Sequence, residues 1–169
     1  MTFKPTTPAA PRSKPSWTPR PYQLRAVKFL VQRQAAALLL DPGMGKTSCT
    51  LAACLALKKA GVFRGALILA PMRVADEVWP EEVAEWEDFK DLTVQRLNAS
   101  DRPDVLKRPV DLYVTNFEAL PHLLKHEVLS TLVRRKLVDT LVVDELSKFK
   151  HTNIQRFKLL KPWLPRFTR

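Results

Sequence analysis

Neither end of this 169-residue chain holds an acidic residue: there is no Asp or Glu from Met1 to Leu40, and none from Leu146 to Arg169. All 17 acids lie between Asp41 and Glu145, with only 14 of the 28 Lys and Arg residues. The middle is therefore slightly acidic, and the net charge of +11 belongs to the two ends. Basic charge segregated in this way suits a polyanion such as nucleic acid, although a solvated basic tail has the same composition. No apolar run reaches membrane-spanning length, and the start carries no apolar signal segment. Residence in the cytoplasm is the expectation. There are two cysteines, Cys49 and Cys54. Five apart on a helix, they point to different sides, so buried reduced thiols are expected rather than a disulfide. No internal repeat is visible. His122 and His126 are four apart on an expected helix, but no third or fourth ligand lies near them, so they are discounted as a metal site.

What is present is organised around residues 35–47. Ala35-Ala36-Ala37-Leu38-Leu39-Leu40 reads as a short buried strand. Asp41-Pro42-Gly43-Met44-Gly45 reads as a tight loop, and Lys46-Thr47 as the start of a helix running to about Lys59. Such a loop cradles phosphate, because its N–H groups and the helix dipole point at the anion. Gly43 and Gly45 allow the tight turn and close approach, and Met44 lies between them. Lys46 offers a cation to β- and γ-phosphates, and Thr47 a hydroxyl to Mg2+. The full pattern G-x-x-x-x-G-K-[ST] asks for glycine at position 40, where this chain has Leu40.

Hydrophobic content of 46% and this length fit one domain with a sizeable core. Residues 1–18 are rich in Pro, Thr, Ser and Lys and read as a disordered basic tail, leaving 19–169 as the folded unit. Pro21 opens a helix ending near Gln34, with Leu24, Val27, Leu30 and Val31 as its apolar face. Further strands are expected at 66–69, 93–97, 110–115 and 141–143. Helices are expected at 72–86, interrupted near Pro80, at 117–136, with Pro121 a candidate break, and at 154–164. Trp79 and Trp86 read as core residues. Alternating strands and helices imply an α/β fold: a mainly parallel sheet covered on both faces, with ligands at the carboxyl ends of the strands.

Leu141-Val142-Val143-Asp144-Glu145 is a strand ending in two carboxylates at that same edge. A Mg2+–triphosphate site needs one carboxylate to hold the metal's water shell, which suits Asp144. It needs another to orient or deprotonate the attacking water, which suits Glu145.

With both motifs in hand, the chain resembles the first RecA-like lobe of superfamily 2 helicases, in the SNF2-like branch common in bacteriophages. Arg20-Pro21-Tyr22-Gln23 is similar to that branch's adenine-reading element. Residues 41–47 are similar to motif I, and Ala70-Pro71-Met72-Arg73 with Val78-Trp79-Pro80-Glu81-Glu82 to motif Ia. Residues 113–118 are similar to the motif Ib–Ic region, and Val143-Asp144-Glu145-Leu146-Ser147 to motif II. The resemblance implies a P-loop ATPase lobe that uses ATP and Mg2+ and acts on DNA, expected to be duplex. It implies that Gln23 contacts adenine and that Arg73 and Asn116 contact DNA phosphates. The basic residues Lys148, Lys150, Lys158 and Lys161 are further candidates for nucleic-acid contact. Motif II reads Asp-Glu-Leu-Ser, which leaves Ser147 where other branches carry His or Asp.

The family's motif III strand and its second lobe, which bears arginine fingers, are expected to be missing. The sheet should then lack the strand that lies between those of motifs I and II, leaving two inner edges unpaired. Three readings stay open: the ATP-binding lobe of a DNA translocase, a non-catalytic nucleotide- or DNA-binding accessory, and one half of a split helicase with the second lobe in trans.

Overall fold

The computed structural model describes residues 14–145 and 154–169. Its centre is a parallel sheet of β1 (Ala66–Ala70), β2 (Val94–Arg96), β3 (Leu112–Asn116) and β4 (Thr140–Val143), in the order β2-β3-β1-β4. Ala66 pairs with Leu112 on one side and with Thr140 on the other, so the three long strands end together. Side chains alternate across the sheet. Leu67, Leu69 and Tyr113 face one apolar cluster, while Ile68, Leu112 and Val114 face the other. The helices α4 (Leu120–Lys125) and α5 (Val128–Arg134) cover the first face. The second face is covered by α2 (Lys46–Lys59) and α3 (Trp79–Glu85). This is the expected doubly covered parallel architecture. The sheet's lower end is tight: a Cβ on Gly65 would collide with the Leu137 carbonyl and lie 3.2 Å from that of Val110.

Asp111 ties the second layer to the sheet. It pairs with Lys58 of α2 at 2.9 Å and accepts from both the N–H and the hydroxyl of Thr93, each at 2.7 Å. Burial pushes its carboxyl up, but the hydrogen bonds from Lys58 and Thr93 outweigh burial and hold it below the ordinary aspartate value.

Several expectations need correction. Residues 35–40 do not form a strand: among the described residues the sheet has four members, and this segment is not one of them. Leu39 is 94% exposed. The edge of β4 away from β1 faces this segment across a groove, and among the described residues the chain's C-terminus bonds there: the Arg169 carbonyl accepts from Leu141 N–H at 2.9 Å, and Arg169 N–H donates to the Asp139 carbonyl at 3.2 Å. A strand needs a ladder on at least one side, and apolar composition does not supply one.

The helix α1 (Pro21–Gln32) buries Gln23 and Ala26 rather than Leu24, which is 55% exposed. The long helix expected over 117–136 breaks at Glu127, which adopts φ 60°, and Pro121 instead sits in the first turn of α4. Before α3, residues Val74–Val78 wind as a π turn. The basic helix α6 (Ile154–Leu160) passes into a 3-10 segment, Lys161–Arg166.

The N-terminal stretch lies outside the described residues as far as residue 13. From Pro15 onward the chain is engaged. The Pro15 carbonyl accepts from Glu87 N–H at 3.0 Å, Trp17 N–H donates to Asp88 at 2.7 Å, and the Trp17 ring packs 5.5 Å from Phe89.

Candidate functional site

The loop after residue 40 turns through a Met44 N–H to Asp41 carbonyl bond of 3.3 Å. Gly43 and Gly45 both have positive φ, 77° and 72°, a region that L side chains enter at a cost. A Cβ on Gly43 would meet open space, so backbone angle alone selects glycine there. A Cβ on Gly45 would displace the Gln23 amide from the loop, so a side chain there would cost that contact besides the backbone angle. Gly45 also caps α2, accepting from Cys49 N–H at 3.0 Å.

The N-terminus of α1 grips this loop from outside. Tyr22 Oη donates to the Met44 carbonyl at 3.2 Å, and Gln23 Nε2 donates to the same carbonyl at 3.4 Å. Gln23 Oε1 accepts from Arg20 N–H at 2.8 Å. Gln23 is thus held against the loop by protein partners, and a base reaching it must share or displace them. Beside it, Glu82 Oε1 accepts from both Ser48 Oγ and Trp86 Nε1, the latter at 3.2 Å.

Lys46, the first residue of α2, folds back on the loop: its Nζ donates to the carbonyls of Leu40 at 2.8 Å and Asp41 at 3.0 Å. Thr47 follows, half-buried. Across from them β4 delivers Asp144, whose N–H continues the ladder to the Leu69 carbonyl at 2.8 Å. Burial raises the Asp144 carboxyl above its ordinary value. A hydrogen bond from the Trp79 indole and the nearby Lys46 cation pull the other way without cancelling it. Glu145 is exposed and adopts φ 60°, a strained conformation for a residue other than glycine.

Lys46, Thr47, Gly43, Asp144 and Glu145 line one cavity of about 860 Å3. Gly43 also borders a second cavity of about 240 Å3, lined by Arg20, Tyr22, Gln23, Gly45 and Trp86. The loop therefore separates a space with carboxylates and a lysine from a smaller space with aromatic and amide groups.

The proposed nucleic-acid residues are placed differently. Arg73 is highly exposed and pairs with Glu77 at 2.9 Å. Asn116 is buried, and its Oδ1 accepts from Ala119 N–H at 2.7 Å. It caps the turn after β3 and does not present itself as a surface phosphate contact. Lys158 and Lys161 are exposed on the C-terminal helical segment, whose inner side is anchored by buried Leu160. Lys148 and Lys150 lie outside the described residues. Two polar contacts at the site carry no sequence signature: Trp79 to Asp144, and Ser48 to Glu82. Trp79 reads as plain core, because periodicity reports burial and is blind to where an indole N–H points.

Comparison with known proteins places the fold. A model of the SNF2-related domain matches residues 22–164. Protein p41 of Acyrthosiphon pisum secondary endosymbiont phage 1 is 33% identical over 109 residues, covering 62% of this chain and 24% of that protein. The Sulfolobus solfataricus SWI2/SNF2 ATPase core, solved in complex with dsDNA, superposes with a TM-score of 0.69 at 24% identity, covering 88% of this chain and 30% of that one. The chain thus spans about a quarter to a third of the length of these relatives, and its parallel sheet has the RecA-like fold of an SNF2 ATPase core. With the domain match running through the loop, both carboxylates and the C-terminal helix, the chain belongs to the SNF2-related domain family.

Proposed function

We propose that this chain is the nucleotide-binding lobe of a DNA-dependent ATPase of the SNF2 type. The observation that carries the reading is the convergence of Lys46, Thr47, Asp144 and Glu145 on one cavity beside a positive-φ glycine loop. In this reading the loop N–H groups and the N-terminus of α2 receive the β- and γ-phosphates, and Lys46 leaves the Leu40 and Asp41 carbonyls to reach them. The base occupies the smaller cavity, against Tyr22 and Gln23. Glu145 holds the attacking water.

The donor set suits Mg2+. Among the described residues no group of three or more acidic, His or Cys side chains could hold a metal by itself. One hydroxyl, Thr47, and one carboxylate, Asp144, are what a cation arriving with phosphate oxygens and waters requires. When bound, the ion would neutralise charge on the phosphates.

DNA would meet the exposed basic side of the C-terminal segment, including Lys158 and Lys161, together with Arg73. Turnover would further require a second RecA-like lobe, in cis or in trans. Among the described residues β4 has no strand beside it on the edge away from β1, where only the C-terminal residues Thr168 and Arg169 bond its start, and this supports growth of the sheet on that side. Calorimetric titration of residues 1–169 with Mg-ATP is the direct test. Saturable binding at one site is expected, and absence of binding by the folded chain would remove the reading.

A further inference from the structure

Trp79 is 1% exposed and lies in the apolar cluster behind the sheet, yet its indole Nε1 donates to Asp144 Oδ2 at 3.2 Å. The two residues are 65 apart in sequence. How the backbone brings them together follows from Pro80. Proline has no N–H for the carbonyl four residues back, and its ring crowds that carbonyl. The chain answers with the π turn Val74–Val78, in which Trp79 N–H bonds to Val74 O, five residues back. The wider turn rotates the following side chains about the axis, and Trp79 falls inward under the end of β4. π turns are rare and concentrate at functional sites.

A buried indole needs an acceptor, but a backbone carbonyl would satisfy it without bringing a carboxylate into the core. Carboxylates that ligate metals, conversely, are normally oriented by a hydrogen-bond donor behind them. We propose that Trp79 is a positioning residue for Asp144: its indole N–H holds the carboxylate in the orientation that receives a nucleotide-bound divalent cation. This rests on the nucleotide-site reading given above. Trp79 borders the same cavity, and the role assigned to it is exerted through the Asp144 carboxylate.

The test uses the whole chain, titrated with ATP in the presence of Mg2+ and again with the metal chelated. The ratio of the two affinities is the readout. Trp79→Phe keeps an aromatic ring in the core and removes the donor. It should lower that ratio about tenfold, as loss of a ligand-orienting partner does, and leave metal-free ATP affinity unchanged. Asp144→Asn should lower the ratio too. Adding Trp79→Phe to Asp144→Asn should lower it no further, because one residue acts through the other.

An unchanged ratio in Trp79→Phe would overturn the inference. So would a loss equal in both metal conditions, or an additive loss on top of Asp144→Asn, since each assigns Trp79 to packing alone. Metal-independent or absent ATP binding by the wild type is a different result: it removes the nucleotide–metal reading itself, and the inference with it. If Trp79→Phe does not fold, the wild type decides the matter. Its Trp79 indole N–H resonance should move when Mg2+ is added to the ATP-loaded chain, and should not move in Asp144→Asn. A resonance that stays still in the wild type overturns the inference.

Discussion

Replacing Lys46 with alanine isolates the phosphate assignment, and its cost can be worked from the geometry. The ammonium is engaged by the Leu40 and Asp41 carbonyls, at 2.8 and 3.0 Å. Binding must exchange those two neutral acceptors for phosphate oxygens, so only the difference counts. Asp41 is exposed and Leu40 half-buried, so water can replace the lysine at both carbonyls in the variant. The fold should therefore lose less than about 1 kcal/mol. A hydrogen bond to a charged group is worth about 1.5–3 kcal/mol net, which corresponds to a loss of roughly 10- to 150-fold in Mg-ATP affinity. The loss should be confined to ligands with β- and γ-phosphates, and adenosine should bind the two proteins alike. Isothermal titration with ATP and adenosine reads both. Superimposable ATP curves for wild type and variant would refute the assignment of Lys46, whatever else the loop does.

Three other outcomes follow from the same structure. Asp111 is held below its ordinary value, so it contributes stability that is present above the unfolded aspartate value and is lost as pH falls through the lower, folded one. Asp111→Asn should lower the melting temperature at neutral pH and flatten the acid side of a melting-temperature profile; an unaltered acid limb would show that other groups set it. DNA affinity should fall steeply with salt, and neutralising Lys158, Lys161 and Arg166 together should flatten the log–log slope by up to about 0.9 for each DNA phosphate no longer neutralised. An unchanged slope would leave that end as a solvated face. Residues 1–169 alone should release phosphate far more slowly than about one per second, because a transition-state arginine from a second lobe is worth about 10³–10⁵ in rate. DNA-stimulated turnover near one per second by this chain would show that it completes the site itself.

Much of the fold was legible because the signals were local. The runs at 66–70, 112–116 and 140–143 are apolar and short, and each became a fully or partly buried parallel strand. The loop glycines announced themselves through the helix that follows. Other features depended on partners distant in sequence. The inner face of α1 carries Gln23 and Ala26, with the Gln23 amide on the Met44 carbonyl of the glycine loop and the Gln23 carbonyl against Cys49 of α2, partners that lie more than 20 residues away. Asn116 resembles a surface contact in sequence, and only the turn to Ala119 shows its amide oxygen already committed. Pro80 did mark an interruption, but a proline predicts a break or kink. That the chain widens into a π turn and carries an indole N–H to Asp144 depends on where β4 ends, which no local pattern encodes.

Residues 35–40 are the sharpest case, and they permit a last test. Alanine and leucine in a row before a glycine loop signal a buried strand, yet burial in a parallel sheet requires neighbours on both faces and at least one edge. Here α1 and α2 lie to one side, and the groove lies between this segment and β4. Leu39 then points into solvent at 94% exposure. Leu39→Lys therefore removes no buried surface, and the change in stability should stay within about 0.5 kcal/mol, as at ordinary surface sites. The substitution should also reduce self-association, because a charge on an extended apolar segment discourages edge pairing. Were the segment instead paired and covered, through a second copy or a rearranged sheet, burying a lysine in place of leucine would cost at least the roughly 1.5–3 kcal/mol of leucine burial. For a domain of this size that is a fall in melting temperature of several degrees. Thermal unfolding of the variant, with light scattering recorded beside it, separates the two. A drop of that size would place Leu39 in a core, and the groove beside β4 would then be closed in solution.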